Sequence, residues 1–524
     1  MRRRRLYALG AGLALVASTL LPVALAPTTA QAARTADRTA TVAGSLQSEL
    51  GCAADWDPTC TATDLTPVAG GSAFSADFAV PAGSYEFKVA INHTFDESYG
   101  SAAGGNVAIT IQGPATLRFM YDDVTHKVGV APTDLPGPAT AADRKLAGDS
   151  LRTPLTRERF YFLMADRFAN GSTANDAGGL TGGRLETGFD PTDKGFYHGG
   201  DLQGVIDRLD YIKGLGTTAI WLTPSFKNRP VQGTGADASA GYHGYWVTDF
   251  TQIDPHLGTN ADMQRLIAKA HAKGMKVFFD IIANHTADVI DYQGGNHTYI
   301  DKTTAPYKDA AGTVFDDATV AGSSAFPALN LQSFPYTPVF RTEADKTVKV
   351  PAWLNDPTMY HNRGDSTYAG ESSTYGDFSG LDDLFTERPQ VVQGMTDIYR
   401  QWVDFGVDGF RIDTAKHVNM QFWQQFSPAI TQHAKDIGNP DFFMFGEVFD
   451  GNPATMSQFT TTGKLPATLD FGFQGNALGF ASSKPTTSLR DFYAADDYYT
   501  DTDSNAYELP TFLGNHDMGR IGYF

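Results

Sequence analysis

Residues 409–417 read Gly-Phe-Arg-Ile-Asp-Thr-Ala-Lys-His, an apolar run that ends in charged and imidazole side chains. The same arrangement occurs in residues 280–285 (Asp-Ile-Ile-Ala-Asn-His), 445–447 (Phe-Gly-Glu) and 512–517 (Phe-Leu-Gly-Asn-His-Asp). A buried parallel strand is apolar on both faces, so packing does not explain a carboxylate at its carboxyl end. Four such ends in succession predict strands that converge on one site, as in a barrel of alternating strands and helices.

Strand and helix patterns alternate through the second part of the chain, which predicts an α/β fold of the TIM (β/α)8 type. Between residues 286 and 386 the periodicity fails over a stretch too long for an ordinary loop, so we expect an inserted domain on the catalytic face. The predicted strands are residues 160–164, 218–222, 276–279, 407–410, 441–445 and 509–513, and the predicted helices are residues 201–215, 263–273 and 391–405.

The region before the barrel shows a different pattern. Residues 74–80, 85–91, 107–111 and 117–121 alternate apolar with polar side chains and are separated by Gly, Pro and Asn. This alternation is typical of half-buried antiparallel strands and predicts a β-sandwich over residues 40–131.

The N-terminal residues and the two cysteines indicate an exported chain. Residues 1–32 combine a basic start, an apolar stretch and a small-x-small cleavage site, which predicts a secretory signal peptide. Residues 132–156 predict a linker. Cys52 and Cys60 are predicted to form one disulfide, with two free thiols as the alternative. The formal net charge of -19 argues against a nucleic-acid binder or a partner of acidic membranes and suits a secreted enzyme acting on a neutral polymer.

At its four segments the chain resembles the α-amylase family, glycoside hydrolase family 13, over about residues 157–524. Further matches lie at residues 196–204, 241–246 and 380–384, and the last of these looks like the fifth segment of the family. The N-terminal unit is similar to the small β modules that precede bacterial pullulanases and amylopullulanases. The resemblance implies a first barrel part at residues 157–285, an inserted domain B at residues 286–386 and the rest of the barrel at residues 387–524.

The resemblance assigns the reaction to three carboxylates. It implies that Asp413 is the nucleophile, Glu447 the acid/base and Asp517 a third carboxylate that favours the distorted sugar ring. Arg411 lies on the same strand face as Asp413, so we expect it to hold that carboxylate ionised. Aromatic neighbours of Glu447 favour its protonated form. The substrate-binding residues implied by the resemblance are Tyr245, His243, His285, Arg411, Lys416, His417 and His516.

Oxygen-bearing groups match the calcium sites of related enzymes. Asn284, Asp383 and the carbonyl of His417 match the family's site between barrel and inserted domain, and hard oxygen ligands suit Ca2+. A second group resembles the N-terminal calcium loop of cyclodextrin glucanotransferases, with a plain polar turn as the alternative. Its residues are Asp166, Asn170, Asn175, Asp176, Gly199 and Asp201.

These features together predict a secreted, extracellular and monomeric enzyme. Residues 416–417 (Lys-His) and 446–448 (Gly-Glu-Val) look like those of enzymes that cut α-1,4 links in starch-type α-glucans. The N-terminal module favours the alternative of a pullulanase, amylopullulanase or neopullulanase. An alternative from another class is a non-catalytic glucan-binding protein. We expect no nucleic-acid or membrane partner.

The family pattern implies more chain than this sequence contains. Phe524 lies seven residues after Asp517, whereas the pattern continues with an eighth strand and helix and then a C-terminal β domain. A barrel without its eighth β/α unit exposes strand edges and an apolar core. We therefore expect a C-terminally truncated fragment that aggregates or is poorly active when expressed alone.

Overall fold

The computed structural model describes residues 38–68, 72–81, 83–101, 104–111, 115–132 and 157–523. The predicted signal peptide and all but the first residue of the predicted linker lie outside the described residues. The described residues form two compact units, one before and one after the linker. No helix in either unit, as far as the structure describes them, is long and apolar enough to cross a membrane.

The first unit is an antiparallel β-sandwich, as predicted. Strand β2 pairs with β1 through Leu65 and with β3 through Thr66, so it joins the two halves of the sandwich. The rings of Phe87 in β4 and Phe119 in β7 meet at 5.0 Å between centroids and close the core. The strands are β1 (Ala40–Gly44), β2 (Asp64–Pro67), β3 (Ala73–Val80), β4 (Gly83–Ile91), β5 (Thr94–Tyr99), β6 (Val107–Ile111), β7 (Ala115–Asp122) and β8 (Val128–Pro132).

The predicted disulfide joins Cys52 to Cys60, with 5.8 Å between the Cα atoms. Its loop is held by the buried side chain of Gln47, whose Nε2 donates to the carbonyl of Asp57 at 2.8 Å. The backbone N–H of Asp57 in turn donates to Gln47 Oε1 at 2.8 Å. One amide therefore satisfies two backbone groups that the loop would otherwise bury without partners.

The second unit alternates strands with helices around a parallel sheet. Its strands are β9 (Phe160–Leu163), β10 (Ala219–Leu222), β11 (Phe226–Asn228), β12 (Val231–Gln232), β13 (Ser239–Ala240), β14 (Val247–Ile253), β15 (Lys276–Ile282), β16 (His285–Thr286), β17 (Ile290–Tyr292), β18 (Pro338–Phe340), β19 (Asp382–Asp383), β20 (Gly409–Asp413), β21 (Phe443–Gly446) and β22 (Ala467–Thr468). Its helices are α1 (Arg184–Thr187), α2 (Leu202–Asp207), α3 (Leu209–Gly214), α4 (Asn260–Ala272), α5 (Asp317–Val320), α6 (Ser372–Tyr375), α7 (Pro389–Asp404), α8 (Met420–Asp436), α9 (Pro453–Thr461), α10 (Phe471–Ala481) and α11 (Thr487–Tyr493).

Six of these strands form one parallel sheet in the order β9-β10-β15-β20-β21-β22. The middle strands are buried on both faces, which explains their unbroken apolar sequences. Helix α7 covers the sheet and is tied to it by Tyr399, whose hydroxyl donates to the carbonyl of Ile282 at 2.6 Å. Helices α4 and α8 start at polar caps: Thr259 and Asn419 accept from backbone N–H groups of the first turn. The predicted fold is confirmed as a β/α barrel of the TIM type.

Two predicted elements differ from the structure. Residues 509–513 form no strand: Leu509 is buried, but Thr511 and Leu513 are exposed. Pro510 has no N–H to donate to a ladder, and no described strand pairs with this segment. The predicted helix at residues 201–215 breaks at Arg208 into α2 and α3.

The segment between β16 and β19 returns to the barrel where it left. His285 pairs with Asp383 in an antiparallel bridge, so the two ends of the segment lie side by side at the end of β15. Its interior contains a buried ion pair between Lys349 and Asp382. Both oxygens of Asp382 also accept from the backbone N–H groups of Val289 and Ile290. These bonds give an otherwise irregular segment a fixed position at the edge of the site.

Candidate active site

Strands β15, β20 and β21 place three acidic side chains at one edge of the sheet. Their parallel register sets Asp280 opposite Arg411. It also sets Ile412 opposite Gly446, so Glu447 follows β21 beside Asp413 at the end of β20. The alignment of strand ends therefore brings together groups that are far apart in the sequence, as expected for the catalytic end of a β/α barrel.

The guanidinium of Arg411 lies at the centre of this group and is fully buried. Its Nη1 is 2.8 Å from Asp280 Oδ1 and 2.7 Å from Asp413 Oδ1. Its Nη2 is 2.9 Å from Glu447 Oε1, an ionic contact without hydrogen-bond alignment. One cation therefore fixes three carboxylates, two of which are the predicted nucleophile and acid/base.

Burial controls the protonation of this cluster. It raises the pKa of Glu447, as the sequence predicted for a proton donor. It also raises the pKa of Asp413, and Arg411 opposes the shift without reversing it. The sequence predicted that Arg411 would hold Asp413 ionised, but the net shift of its pKa has the opposite direction, because burial outweighs the guanidinium and its depth is not visible in a strand pattern. Burial raises the pKa of Asp280 as well, to about 8, so the three carboxylates around one guanidinium favour retaining a proton within the cluster. Asp280 does not line the cavity above this cluster, whereas Glu447 does and is placed to donate a proton there.

Asp280 is a residue of the site that sequence reasoning did not assign. Its side chain is fully buried and accepts from the indole Nε1 of Trp221 at 3.0 Å and from the hydroxyl of Tyr245 at 3.1 Å. It thereby positions both Arg411 and Tyr245. The sequence did place this carboxylate inside a strand that is apolar on both faces, which indicates a buried polar role. Its partner Arg411 could not be predicted, because that contact depends on the register between β15 and β20.

Backbone geometry at Thr414 orients Glu447. Thr414 has φ of 48°, in the left-handed region that a β-branched residue rarely adopts. In this conformation its N–H donates to Glu447 Oε2 at 3.0 Å. Strain of this kind costs about 1–3 kcal/mol and persists where the surrounding structure holds it, commonly at functional sites.

Above these groups lies a cavity of about 510 Å3. Most of the predicted substrate-binding residues line it, and Arg411 lies beneath its floor, in contact with Asp413. His516, like Arg411, does not line the cavity; its Nε2 is 2.8 Å from the hydroxyl of Tyr245. The predicted residues that line the cavity are His243, Tyr245, His285, Asp413, Lys416, His417, Glu447 and Asp517.

The histidines of the site are held in the neutral form. Burial lowers the pKa of His285 to about 3, of His516 to about 3 and of His243 to about 4. The backbone N–H of Tyr245 donates to His243 Nδ1 at 3.1 Å, which leaves Nε2 of that neutral ring as its N–H donor. His285 Nε2 is buried without a well-aligned partner. Neutral N–H donors beside carboxylates suit the recognition of sugar hydroxyls.

Lys416 and His417 follow the nucleophile on the cavity wall. The Nζ of Lys416 contacts the carbonyl of Phe449 at 3.1 Å and Asp450 Oδ2 at 3.0 Å. His417 Nδ1 is 2.7 Å from the carbonyl of Ser373. Their positions are therefore fixed by neighbouring loops rather than by a strand.

Asp517 is held less firmly than the other two carboxylates. It lies in a turn, its backbone N–H donates to Asn515 Oδ1 at 2.9 Å, and its side chain is 43% exposed. The adjacent ring of His516 stacks on Phe162 at 4.7 Å. The packing of the His516 ring therefore helps to position Asp517 at the cavity.

Aromatic residues from the segment before β19 complete the cavity, and the sequence did not single them out. Phe378 stacks on His285 with ring centroids 5.6 Å apart. Tyr368 stands at right angles to Phe378 and is 52% exposed. Irregular sequence around both residues gave no periodic signal that could have placed them here.

The first predicted calcium site has donors of the right chemical kind. Asn284 directly precedes β16, and the pairing of β16 with β19 brings it beside Asp383. One oxygen of Asp383 contacts His361 Nδ1, and His361 Nε2 is 2.9 Å from Glu387 Oε2. Amide, carboxylate and carbonyl oxygens fit Ca2+, although His361 shares the carboxylate of Asp383. Within the described residues there is no group of three or more His, Cys, Asp and Glu side chains arranged to hold a metal ion.

The second predicted calcium loop is compact. Asn170 Nδ2 donates to Asp176 Oδ1 at 2.8 Å, and a Cβ on Gly199 would lie 2.7 Å from both of these atoms. Asn175 Oδ1 is buried without a partner. Asp166 and Asp201, by contrast, are occupied by backbone N–H groups, and Asp201 caps α2. The six predicted residues come together, and the buried Oδ1 of Asn175 has no hydrogen-bond partner.

A β/α barrel with paired carboxylates at its catalytic edge, beneath a cavity with neutral histidines, is the arrangement expected of a glycoside hydrolase. The comparison with family models agrees: residues 162–524 match the alpha amylase catalytic domain. Residues 39–128 match the pullulanase X25 domain. The chain belongs to the alpha-amylase family of glycoside hydrolases.

Curated relatives support the assignment. An alpha-amylase of Streptomyces lividans is 58% identical over 74% of this chain and 42% of its own length. A beta/alpha-amylase of Paenibacillus polymyxa is 32% identical over 71% of this chain and 25% of its length. A cyclomaltodextrin glucanotransferase of Klebsiella oxytoca is 30% identical over 70% of this chain and 50% of its length. The chain thus spans half or less of the length of these relatives.

Solved structures agree with the fold. An Anoxybacillus alpha-amylase aligns with a TM-score of 0.50 and 31% identity, over 71% of this chain and 64% of that one. The cyclomaltodextrin glucanotransferase CldA aligns with a TM-score of 0.51 and 27% identity, over 70% of this chain and 65% of that one.

Proposed function

We propose that the protein is a secreted retaining endo-hydrolase of α-1,4-glucosidic bonds in starch-type α-glucans. The observation that carries this proposal is the guanidinium of Arg411, which contacts both Asp413 and Glu447. Carboxyls held this close favour the retaining geometry, with a separation of about 5–5.5 Å, over the wider inverting arrangement that leaves room for a water. The 58% identity to an alpha-amylase supports the choice of α-glucan as substrate.

In this mechanism Asp413 attacks the anomeric carbon while Glu447 protonates the departing oxygen. The bond from the anomeric carbon to that oxygen breaks as the bond to Asp413 forms. Glu447, now ionised, takes a proton from water, and the water oxygen displaces Asp413. Asp517 and the neutral donors His243 and His285 bind hydroxyls of the distorted sugar.

Specific observations favour two alternative activities. The match of residues 39–128 to a pullulanase X25 domain favours α-1,6 debranching or neopullulanase-type cutting. The 30% identity to a cyclomaltodextrin glucanotransferase favours transfer to a sugar hydroxyl in place of water. A non-catalytic glucan-binding role is disfavoured because Asp413, Glu447 and Asp517 all line one cavity.

The test is product analysis on linear amylose and on pullulan, with Asp413→Asn as the blank. Maltooligosaccharides from amylose with pullulan untouched would support the proposal. Maltotriose from pullulan would replace it with debranching, panose with neopullulanase-type cutting, and cyclic products with transfer. Activity that persists in Asp413→Asn would contradict the assignment of the nucleophile.

Calcium and monomeric assembly belong to the same proposal. Asn284, Asp383 and the carbonyl of His417 would hold Ca2+ at the junction of β16 and β19, where the ion would stabilise the cavity wall. We expect EDTA to lower the melting temperature and added Ca2+ to restore it, with Asp383→Asn insensitive to both. An unchanged melting temperature would remove calcium from the proposal. Size-exclusion chromatography with light scattering tests the monomer.

A further inference from the structure

A second cavity lies outside the catalytic one and shares no lining residue with it. It has a volume of about 720 Å3 and lies between the short turn Ala352–Asn355 and helix α7. Pro351 and Pro389 line it on either side. Nothing in the proposed mechanism uses this cavity.

Trp353 forms one wall of the cavity. Its indole lies against Gly394 in the middle of α7, so closely that a Cβ at residue 394 would be 2.4 Å from Trp353 Cζ2. Glycine costs about 1 kcal/mol relative to alanine inside a helix, so its presence here has a packing reason. The ring is only half-buried, and among the described residues its Nε1–H donates to no acceptor.

Exposed amides and the carboxylate of Asp397, all on α7, provide the polar groups of the cavity. Gln393 Nε2 donates to Asp397 Oδ1 at 2.7 Å, while the side chains of Gln390 and Gln401 contact no partner in the described parts of the chain. No lysine or arginine lines the cavity. A ring with amides and one carboxylate around it, and without cations, suits a neutral polyhydroxylated ligand with an apolar face rather than an anion, because sugar hydroxyls can donate to amide and carboxylate oxygens.

We propose that this cavity is a surface site for an α-glucan chain, separate from the catalytic cavity. The inference rests on the proposed function, which supplies the class of ligand. In a β/α unit the helix starts near the catalytic edge of the sheet. The cavity therefore begins near that edge, at Pro389, and extends along α7 on the outside of the barrel. A polymer held there has a high effective concentration at the catalytic cavity of the same molecule.

The test is hydroxyl-radical footprinting of the full Asp413→Asn chain with maltoheptaose, which that variant does not consume. At ten times the dissociation constant about a tenth of the sites are free, so oxidation of Trp353 falls about tenfold. Trp246, which lines the catalytic cavity, reports on that cavity independently. Protection of Trp353 without Trp246 would support this site while counting against the proposed function. Unchanged oxidation of Trp353 overturns the site, whether or not Trp246 is protected.

Two alanine variants separate direct contact from indirect protection. Gly394→Ala adds a Cβ where the indole lies, so we expect the affinity reported by Trp353 to fall about tenfold, in the range of a typical contact residue. Gly475→Ala is the matched control, because that helical glycine has open space around its Cβ position. Equal affinities in the two variants, with both melting cooperatively, would overturn the proposal.

Discussion

Asp413 and Glu447, at the ends of β20 and β21, face the same cavity as Asp517. The structure holds the first two carboxylates in a different way from the third. Asp413 and Glu447 follow paired strands and contact a buried guanidinium. Asp517 lies in an exposed turn, where the hydrogen bond and ring packing of His516 do the positioning. A ladder fixes a backbone through many bonds at once, whereas the turn depends on a few side-chain contacts.

This difference predicts different local stabilities. Core strands open only with the whole protein, while segments with few buried contacts open at low free energy. The site should therefore combine a rigid reacting pair with a third carboxylate whose position responds to single side-chain changes. Substitutions on the two sides of the cavity test that contrast.

Replacing Arg411 with methionine should have the largest effect. It leaves Asp280, Asp413 and Glu447 buried without their cation, and removing one partner of a buried ion pair costs about 3–5 kcal/mol. We expect that loss in the free energy of unfolding measured with urea at pH 7, together with loss of activity. Arg490→Met, at a side chain 61% exposed, is the matched control and should change stability by less than about 0.5 kcal/mol. Equal effects in both variants would show that Arg411 does not hold the rigid side of the site.

Glu447→Gln should act on catalysis more than on stability. The raised pKa of Glu447 keeps its proton to higher pH, so the activity of the parent should fall on the alkaline side as that proton is lost. Glutamine cannot transfer a proton, and kcat/KM should fall by about 10²–10⁴-fold with the alkaline limb absent. Glu343→Gln, at an exposed position, is the control. A persistent alkaline limb in the variant would assign it to another group.

The strands that carry Asp413 and lead to Glu447 were readable from the sequence, whereas the strand predicted at residues 509–513, before Asp517, is absent from the structure. Strands β15 and β20 were predicted because both faces are buried, and a period of two placed Arg411 beside Asp413. The contact between Arg411 and Asp280 escaped prediction because cross-strand register depends on pairing. Residues 509–513 are as apolar as the other runs, yet form no strand because no described neighbour completes a ladder.

The cavity wall shows a second limit. Phe378 and Tyr368 come from an irregular segment whose placement depends on the bridge between His285 and Asp383 and on buried ion pairs. The left-handed backbone of Thr414 could not be predicted, because this conformation is usually recognised from a glycine and here it depends on tertiary packing. Hydrophobic periodicity carries no information about either feature.

His285→Gln should change how stability depends on pH. The pKa of His285 is lowered from 6.5 to about 3, so the unfolded chain binds more protons than the folded protein between these values. The free energy of unfolding therefore rises with pH in that window, with a contribution from His285 of up to about 1.4 kcal/mol per pH unit. The variant should lose this contribution to the slope. Urea denaturation at pH 4, 5 and 6 measures it.

His271→Gln is the control of opposite sign. Asp408 raises the pKa of His271, so its contribution to stability is present at low pH and is lost as pH rises above 6.5. His271→Gln should therefore make the slope of the free energy of unfolding against pH more positive above pH 6.5. A slope between pH 4 and 6 that is unchanged in His285→Gln would mean that His285 is not held neutral.

Tyr245→Phe should have the smallest and most local effect. The hydroxyl joins the two sides of the site, since it donates to Asp280 Oδ2 and lies 2.8 Å from His516 Nε2. Its loss removes a hydrogen bond with a net value of about 0.5–1.5 kcal/mol, which for a locally opening turn is up to about tenfold in amide exchange. Hydrogen exchange should quicken in residues 512–517 and stay unchanged in β20, because that strand exchanges only through larger openings. Equal acceleration in both would mean that the turn and the strand open together, and that the two sides of the cavity form one cooperative unit.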